Sequence, residues 1–314
     1  MTESITDVPA QEGTLEWQFC EKDGQLFKCH TYYKVFGDLK AGTPLVVLHG
    51  GPGLCHNYLM PFSDLASRGP GIPVILYDQL GNGRSTHLKK MPEGFSRDEL
   101  IDLFIDELVN LLENLEIKDS FSLAGHSWGG ILASEFEVRR KPTGLKRLIL
   151  TNSLASVDLW FQSNLQLLQA FPSSVQEGII AGMTNPPQFF AALQEFHAVH
   201  GCTIKPFPPD YIYTLEQVFG PDGNPTVAAA GILQKKAEGQ EGWSIIDKLF
   251  QIRVPTFVIN GRKDISQDFV VRPFFDRIQK VKWVTFENSS HAPFYEERVK
   301  YMSLVADFLH YHDD

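Results

Sequence analysis

Apolar residues occur along the chain in short runs that alternate with stretches of helical period. Short apolar runs bounded by glycine, proline, asparagine or aspartate predict strands. Such runs predict strands at 15–20, 26–35, 45–49, 73–77, 120–124, 147–151, 254–260 and 282–286. The first two strands flank Asp23-Gly24, so we expect them to form an antiparallel hairpin.

Helical stretches fall between most of these strands. Residues 98–115 repeat their apolar side chains at helical spacing, which predicts a helix that covers a sheet. Further helices are predicted at 58–67, 131–140 and 295–309. Strands that alternate with helices are typical of an α/β fold with a mainly parallel sheet and helices on both of its faces.

Residues 153–243 break this alternation. They contain helical stretches at 158–170, 174–182 and 187–199, separated by proline-rich segments, and the next strong strand begins only near 255. We therefore predict a helical cap at 153–243, inserted into a core formed by 1–152 and 244–314. The cap is rich in aromatic residues, and we expect some of them, including Trp160 and Phe219, to line an apolar substrate pocket.

Composition and charge narrow the function classes. The 314 residues carry a formal net charge of −10, which argues against nucleic acid or an anionic membrane as a partner. No run of about eighteen apolar residues occurs, so no transmembrane span is expected. The first residues lack the basic and apolar regions of a secretory signal, and we expect a cytoplasmic protein.

The four cysteines do not have the spacing of a metal site. They stand at 20, 29, 55 and 202, and reduced thiols are the default in a cytosolic protein. Cys20 and Cys29 could face each other across the predicted hairpin, although a disulfide there is the less favoured interpretation. We expect neither a metal nor an organic cofactor, and the oligomeric state stays open.

The most informative motif is GHSWGG at 125–130, between a predicted strand and a predicted helix. A G-x-S-x-G in this setting predicts a nucleophile elbow, in which a sharp turn presents Ser127 above the sheet. The glycines are needed because side chains would clash on either side of the serine. The alternative is a glycine-rich turn with an exposed serine.

A second glycine-rich loop, HGGPG at 49–53, follows the strand predicted at 45–49. A backbone N–H in such a loop can bind a developing oxyanion together with the N–H after the nucleophile. We therefore predict Gly51 and Trp128 as the two donors. A phosphate-binding loop or a plain turn is less favoured, because neither of the nucleotide-binding motifs G-x-x-x-x-G-K-[ST] and G-x-G-x-x-G follows.

The acid and the base are predicted after two late strands. Asp264 follows the strand at 254–260, and His291 follows the strand at 282–286. Open α/β sheets place their sites at these carboxyl ends. The chain order Ser127, Asp264, His291 is that of the α/β-hydrolase triad. The alternatives are a helix N-cap for Asp264 and a structural loop histidine, and Asp268 is the second candidate for the acid.

These motifs together resemble the proline iminopeptidase branch of the α/β-hydrolases. HGGPG at 49–53, YDQLGNGRS at 77–85 and GHSWGG at 125–130 carry the resemblance, and the late segments around Asp264 and His291 continue it. It covers most of 15–310 and is weakest between about 155 and 240. It implies the α/β-hydrolase fold with a helical cap, with the triad on Ser127, Asp264 and His291.

The chain departs from that family at the residues that bind the substrate's free amine. The resemblance implies one glutamate in a G-P-x-E motif of the cap and another directly after the catalytic aspartate. Here Gly223 and Ile265 occupy these positions. A buried ammonium without a carboxylate partner would be costly. Asp222, Glu238 and Glu241 could replace the lost anchors, although exposed loop positions are the favoured interpretation.

Three functions follow as hypotheses. The first is a serine hydrolase that cleaves an amide, ester or lactone of a small, largely apolar substrate through an acyl-enzyme. The second is a proline iminopeptidase with a relocated amine anchor. The third is a protein that binds or rearranges a ligand without hydrolysis, which an intact triad disfavours. For the pocket we predict Gly50, Cys55 and Ile265 in addition to the two cap aromatics.

Overall fold

The structure is a computed structural model that describes residues 10–21, 24–67, 71–88, 95–220 and 242–311. The described residues form one eight-stranded sheet. Its strands are β1 (Ala10–Cys20), β2 (Leu26–Phe36), β3 (Leu45–Leu48), β4 (Val74–Tyr77), β5 (Phe121–His126), β6 (Leu145–Thr151), β7 (Thr256–Gly261) and β8 (Val281–Phe286). Each predicted strand is present, with bounds that differ by a few residues.

The strand order is β1-β2-β4-β3-β5-β6-β7-β8. The pairs β1–β2 and β2–β4 are antiparallel, and the other five pairs are parallel. In the hairpin Cys29 pairs with Trp17, whereas Cys20 pairs with Leu26, so the two cysteines are not opposite each other. All four cysteines are free thiols.

Ten helices are found in the described part of the chain. They are α1 (Asp64–Ser67), α2 (Arg97–Asn114), α3 (Trp128–Arg140), α4 (Val157–Leu168), α5 (Ser173–Ala181), α6 (Pro186–His200), α7 (Pro209–Phe219), α8 (Asp268–Arg277), α9 (Pro293–Glu296) and α10 (Arg298–His310). Short 3₁₀ helices occur at His56–Ser63, Gly182–Thr184 and Ile246–Gln251.

The helices cover both faces of the sheet, as predicted. Side chains alternate along a strand, so Val46 packs with one core cluster and Val47 with the other. Helices α2, α3 and α8 contribute to the first cluster, whereas α10 and the helix at 56–63 contribute to the second. Strands β3 to β6 are buried almost throughout, as expected of parallel strands covered on both faces.

Helices α4 to α7 follow β6 and precede β7, so they are inserted between two neighbouring strands of the sheet, and we refer to these helices and the segments between them as the cap. Three of these helices match the predicted stretches. The fourth, α7, was not predicted, because Pro206, Pro208 and Pro209 indicate a break in the sequence. In the structure Pro209 is the first residue of α7, where a missing N–H costs no helical hydrogen bond.

The predicted helix at 295–309 is interrupted. Glu297, with φ −126° and ψ 46°, separates α9 from α10. Its carboxylate accepts hydrogen bonds from Ser289 Oγ (2.7 Å) and the Asn288 N–H (3.2 Å). The sequence pattern places Glu297 on a continuous helix. In the structure its side chain points toward the loop that precedes His291.

Candidate active site

Ser127 lies in the turn between β5 and α3. Its φ of 53° and ψ of −119° are unusual for a residue with a side chain. The turn is possible only with glycines around it, because a Cβ on Gly125 would lie 2.2 Å from the Gly129 carbonyl oxygen. A Cβ on Gly130 would lie 2.3 Å from Ser153 Oγ. This is the geometry expected of a nucleophile elbow.

Asp264 and His291 come together at the carboxyl ends of β7 and β8. His291 Nδ1 donates a hydrogen bond to Asp264 Oδ1 over 2.6 Å. Asp268, the second candidate for the acid, instead accepts from Arg262 Nη1 (2.7 Å) and Asn260 Nδ2 (2.9 Å). Among the described carboxylates, Asp264 is therefore the one that pairs with the His291 ring.

The Asp264 carboxylate is completely buried and surrounded by donors. Oδ1 also accepts from the Ser266 N–H (2.9 Å), and Oδ2 accepts from Asn152 Nδ2 (2.5 Å). Burial raises the pKa of Asp264, and these donors oppose that rise because they stabilise the charged form. Burial lowers the pKa of His291 to about 4, so its ring is neutral at pH 7, as a general base must be.

A chain of hydrogen bonds connects the 49–53 loop with His291. The Gly50 N–H donates to the Tyr58 hydroxyl (2.6 Å), which donates to His126 Nδ1 (2.7 Å). His126 Nε2 donates to the backbone oxygen of His291 (2.8 Å), which assigns the proton to that nitrogen. The His126 and His291 rings pack edge to face, with centroids 4.7 Å apart. Burial lowers the pKa of His126 well below its usual range, so it stays neutral.

The two predicted oxyanion donors are Trp128, which directly follows Ser127, and Gly51 in the loop after β3. Trp128 is the first residue of α3, so its N–H has no acceptor within the helix. Gly51 has a φ of +116°, and a Cβ there would lie 2.4 Å from Gly53 N, so the loop requires glycine. Trp128 Nε1 donates to Gln79 Oε1 (2.8 Å), and Gln79 Nε2 donates to the His49 backbone oxygen (2.9 Å).

The cap contacts the loops that carry Asp264 and His291 directly. The His291 N–H donates to the His200 backbone oxygen (3.2 Å), and His200 Nδ1 donates to the Lys263 backbone oxygen (2.8 Å). Glu296 accepts from Thr203 N (2.8 Å) of the cap and from Ser290 N (2.8 Å) of the histidine loop. Helix α6 and the residues after it are therefore attached at the candidate site.

The five predicted pocket residues lie in different surroundings. A Cβ on Gly50 would lie 3.1 Å from Ser127 Cβ, so Gly50 is next to the serine. Cys55 is buried between the core and α7, with its Sγ 3.4 Å from Thr214 Oγ1. Ile265 is 4% exposed and packs among cap residues that include Phe196.

The two cap aromatics are partly buried. Phe219 packs against Phe189, with ring centroids 5.5 Å apart. Trp160 lines an apolar cavity of about 310 Å³ whose lining in the described chain comes from α4, α5 and α6. A role for either residue in substrate binding stays a prediction. Asp222, Glu238 and Glu241, the proposed replacement anchors, lie outside the described residues.

Sequence reasoning missed Asn152 and Tyr58, which both hydrogen-bond within the site. Asn152 follows β6, the strand between those that precede Ser127 and Asp264, and its position at a carboxyl end was a usable signal. Tyr58 gave no such signal, because it lies inside the apolar helix at 56–63.

Among the described residues, no cluster of three or more histidine, cysteine or carboxylate side chains has the arrangement of a metal site. The helices that the structure describes are also too short or too polar to cross a bilayer.

Comparisons with known proteins agree with this geometry. A model of the "Alpha/beta hydrolase family" matches residues 45–302. A curated "Proline iminopeptidase" from Lactobacillus helveticus is 32% identical over 292 residues, which are 90% of this chain and 95% of the relative.

Two solved structures are similar over most of the chain. The crystal structure of VinJ is 36% identical, with a TM-score of 0.78, and the match covers 94% of this chain and 98% of VinJ. The crystal structure of the proline iminopeptidase from Mycobacterium smegmatis is 31% identical, with a TM-score of 0.74 and the same coverage.

Proposed function

The chain belongs to the proline iminopeptidase-like family of α/β-hydrolases, and from that premise we propose that it is a serine hydrolase. Its substrate is a small, largely apolar amide, ester or lactone, which it cleaves through an acyl-enzyme. The observation that carries the proposal is the 2.6 Å hydrogen bond from His291 to Asp264, at the same sheet edge as the strained Ser127 turn.

In this mechanism the neutral His291 ring removes the proton of Ser127 as its Oγ attacks the substrate carbonyl. Asp264 holds the imidazole in the required tautomer and stabilises the imidazolium that forms. The N–H groups of Gly51 and Trp128 bind the oxyanion. His291 then protonates the leaving group, and water attacks the acyl-enzyme with His291 again as the base.

The preference for a neutral acyl group rests on Ile265. It directly follows Asp264 at the position where the family resemblance implies an amine-binding glutamate, and it is buried among apolar cap residues. Glu296, a second carboxylate near the pair, already accepts hydrogen bonds from Ser290 and Thr203. An ammonium beside Asp264 would therefore lack a free carboxylate among the described neighbours.

A second candidate is the release of N-terminal proline. The relatives named proline iminopeptidase, which align with about nine-tenths of this chain, favour it. In that case the amine anchor would come from Asp222, Glu238 or Glu241.

We also propose that the cap extends over 153–243. The free thiols favour a reducing compartment, such as the cytoplasm, as the location of the protein.

The nucleophile is tested with Ser127→Ala. We expect turnover to fall by about 10⁴- to 10⁶-fold with the fold intact, measured by kcat and by circular dichroism. For the acid, Asp264→Asn should lose about 10⁴-fold in kcat, whereas its matched control, Asp268→Asn, should stay close to wild type. Near-full activity of Ser127→Ala would refute the proposal, and the reverse result for the two aspartates would refute the choice of acid.

The substrate is tested by kcat/KM for L-prolyl p-nitroanilide, its N-acetylated form and p-nitrophenyl acetate. We expect little turnover of the free-amine anilide and better turnover of the neutral substrates. A strong preference for the free amine over the acetylated form would instead establish the second candidate. Substitution of the three anchor candidates one at a time would then identify the amine site.

A further inference from the structure

Asn152 lies at the centre of the candidate site although it is not one of the three residues of the triad. It directly follows β6 and is completely buried. Its N–H donates to the Ile259 oxygen of β7 (2.7 Å), and its backbone oxygen accepts from Ser266 Oγ (3.2 Å). Its φ of +50° is a left-handed conformation, which asparagine adopts more readily than most residues.

The side-chain amide of Asn152 bridges two loops. Nδ2 donates to Asp264 Oδ2 (2.5 Å) and to the Ser290 backbone oxygen (3.0 Å), so both of its hydrogens are used. Both partners are acceptors, so the NH₂ group and not the oxygen must face them. Oδ1 is buried without a hydrogen-bond partner among the described residues. A buried polar atom rarely lacks a hydrogen-bond partner. Here Oδ1 lacks one because the amide is oriented so that its NH₂ group bridges the two loops.

We propose that Asn152 is a positioning residue that holds Asp264 charged and aligned with His291. Since it acts through these two residues, the inference rests on the proposed function. One amide hydrogen binds the carboxylate and the other binds the residue before His291, so a single side chain connects the two loops that carry the acid and the base. Asn152 itself does not touch the substrate.

The amide also sets the proton affinity of the pair. A donor to a carboxylate stabilises its charged form, so without the amide the Asp264–His291 pair takes up a proton at a higher pH. Whether the added proton sits on Asp264 or on His291, Nε2 of His291 then carries a hydrogen, because Nδ1 either accepts from the protonated Asp264 or keeps its own proton. Ser127 therefore loses its base at a pH where the wild type is still active. The other titratable groups that face the pair are His126, His197, His200 and Glu296, and the substitutions below leave them unchanged.

Two variants separate positioning from folding. Asn152→Asp keeps the shape and tolerates the left-handed backbone, but it removes both donors and places a second carboxylate beside Asp264. Asn152→Gly removes the side chain without backbone strain. The matched control is Asn260→Asp. Asn260 is also completely buried, and its Nδ2 also donates to a carboxylate, but that carboxylate is Asp268 (2.9 Å).

The readout is the rate at which a fluorophosphonate probe labels Ser127, so no substrate has to be known. It is measured from about pH 3 to pH 9, because the pKa of His291 is about 4 and the wild-type midpoint must lie inside the range. Ser127 Oγ displaces fluoride from phosphorus, and His291 takes the serine proton. For Asn152→Gly we expect the low-pH midpoint to rise by about half a pH unit or more, and for Asn152→Asp by about one unit or more. In Asn260→Asp the midpoint should stay at the wild-type value even where thermal melting shows lost stability.

Each outcome decides the question. An unmoved midpoint in folded Asn152→Asp, or equal shifts in Asn152→Asp and Asn260→Asp, would overturn the inference. Ser127→Ala is included to separate the two proposals. If Ser127→Ala is still labelled at the wild-type rate, another residue is the nucleophile, so the proposed function fails and this inference fails with it. If Ser127→Ala is not labelled and the Asn152 variants match wild type, only the inference fails.

Discussion

Glu107 on α2 is a buried acid whose ionisation should destabilise the fold. It is completely buried, and its carboxyl oxygens accept from Thr31 Oγ1 (2.5 Å) and from the Leu80 N–H (2.8 Å). No cation is among its partners in the described residues, and the charged Asp78 lies nearby. Burial, and to a lesser extent Asp78, raise the pKa of Glu107 from 4.5 to about 8.

The sign of the effect follows from this raised pKa. Between pH 4.5 and 8 the folded protein holds a proton on Glu107 that the unfolded chain has released. The contribution of Glu107 to stability is therefore fully present below pH 4.5 and is lost as the pH rises through about 8. One pH unit corresponds to about 1.4 kcal/mol, so the difference of about 3.5 units gives a loss on the order of 5 kcal/mol.

Glu107→Gln isolates this effect, because the amide is always neutral. Its oxygen can accept from the Leu80 N–H and its NH₂ can donate to Thr31 Oγ1. We expect Glu107→Gln to match wild type within about 1 kcal/mol at pH 5. At pH 9 it should be more stable by several kcal/mol. Urea unfolding of both proteins at pH 5, 7 and 9 measures the difference, and taking that difference cancels the other titrating groups.

The matched control is Glu135→Gln on α3. Glu135 is 2% exposed, but its carboxylate pairs with Arg139 Nε (2.7 Å) and accepts from Trp243 Nε1 (2.7 Å). Loss of its charge leaves the guanidinium without this partner, so Glu135→Gln should destabilise the protein at pH 9. The reasoning is refuted if Glu107→Gln is no more stable than wild type at pH 9, or if its advantage is the same at pH 5.

Three further predictions test other parts of the structure. Tyr58→Phe leaves the Gly50 N–H and His126 Nδ1 without a partner, so we expect a loss of about 2–5 kcal/mol in urea unfolding and a lower kcat with little change in KM. Gly125→Ala places a Cβ 2.2 Å from the Gly129 carbonyl oxygen in the first turn of α3. Soluble Gly125→Ala should therefore show no fluorophosphonate labelling, and normal labelling would contradict the elbow geometry. Cys20 is exposed, whereas burial raises the pKa of the other three thiols to about 11 or 12. A thiol reagent should therefore modify one cysteine in the native protein and none in Cys20→Ser.

The sequence alone determined the sheet and the elbow. Strands β3 to β6 are short apolar runs with turn residues at their ends, so their existence depends on local composition. The Ser127 turn could also be predicted from the sequence, because only glycines fit beside the serine. Asp264 was predicted from chain order, and the structure places it beside His291, since parallel neighbouring strands end at the same edge of a sheet.

Local patterns did not determine helix α7 or the interruption at Glu297. Prolines around 206–209 indicate a loop, but Pro209 at the first helical position is compatible with a helix, and packing against the helix at 56–63 stabilises it. Glu297 lies in a continuous amphipathic pattern. At the break its carboxylate hydrogen-bonds to the loop before His291, a contact that helical periodicity does not report.

Only the tertiary structure revealed the hydrogen-bond partners of Asp264 and His291. Asn152 contacts Asp264, which is 112 residues away in the chain, and His126 contacts His291 across 165 residues. Such hydrogen bonds depend on the order of the strands and on side-chain directions at their ends. Hydrophobic period and short motifs do not report which side chains meet there, although a position directly after a strand, as for Asn152, indicates a candidate. The sequence therefore predicts which residues perform the proposed chemistry, whereas the fold decides which other residues hold them in position.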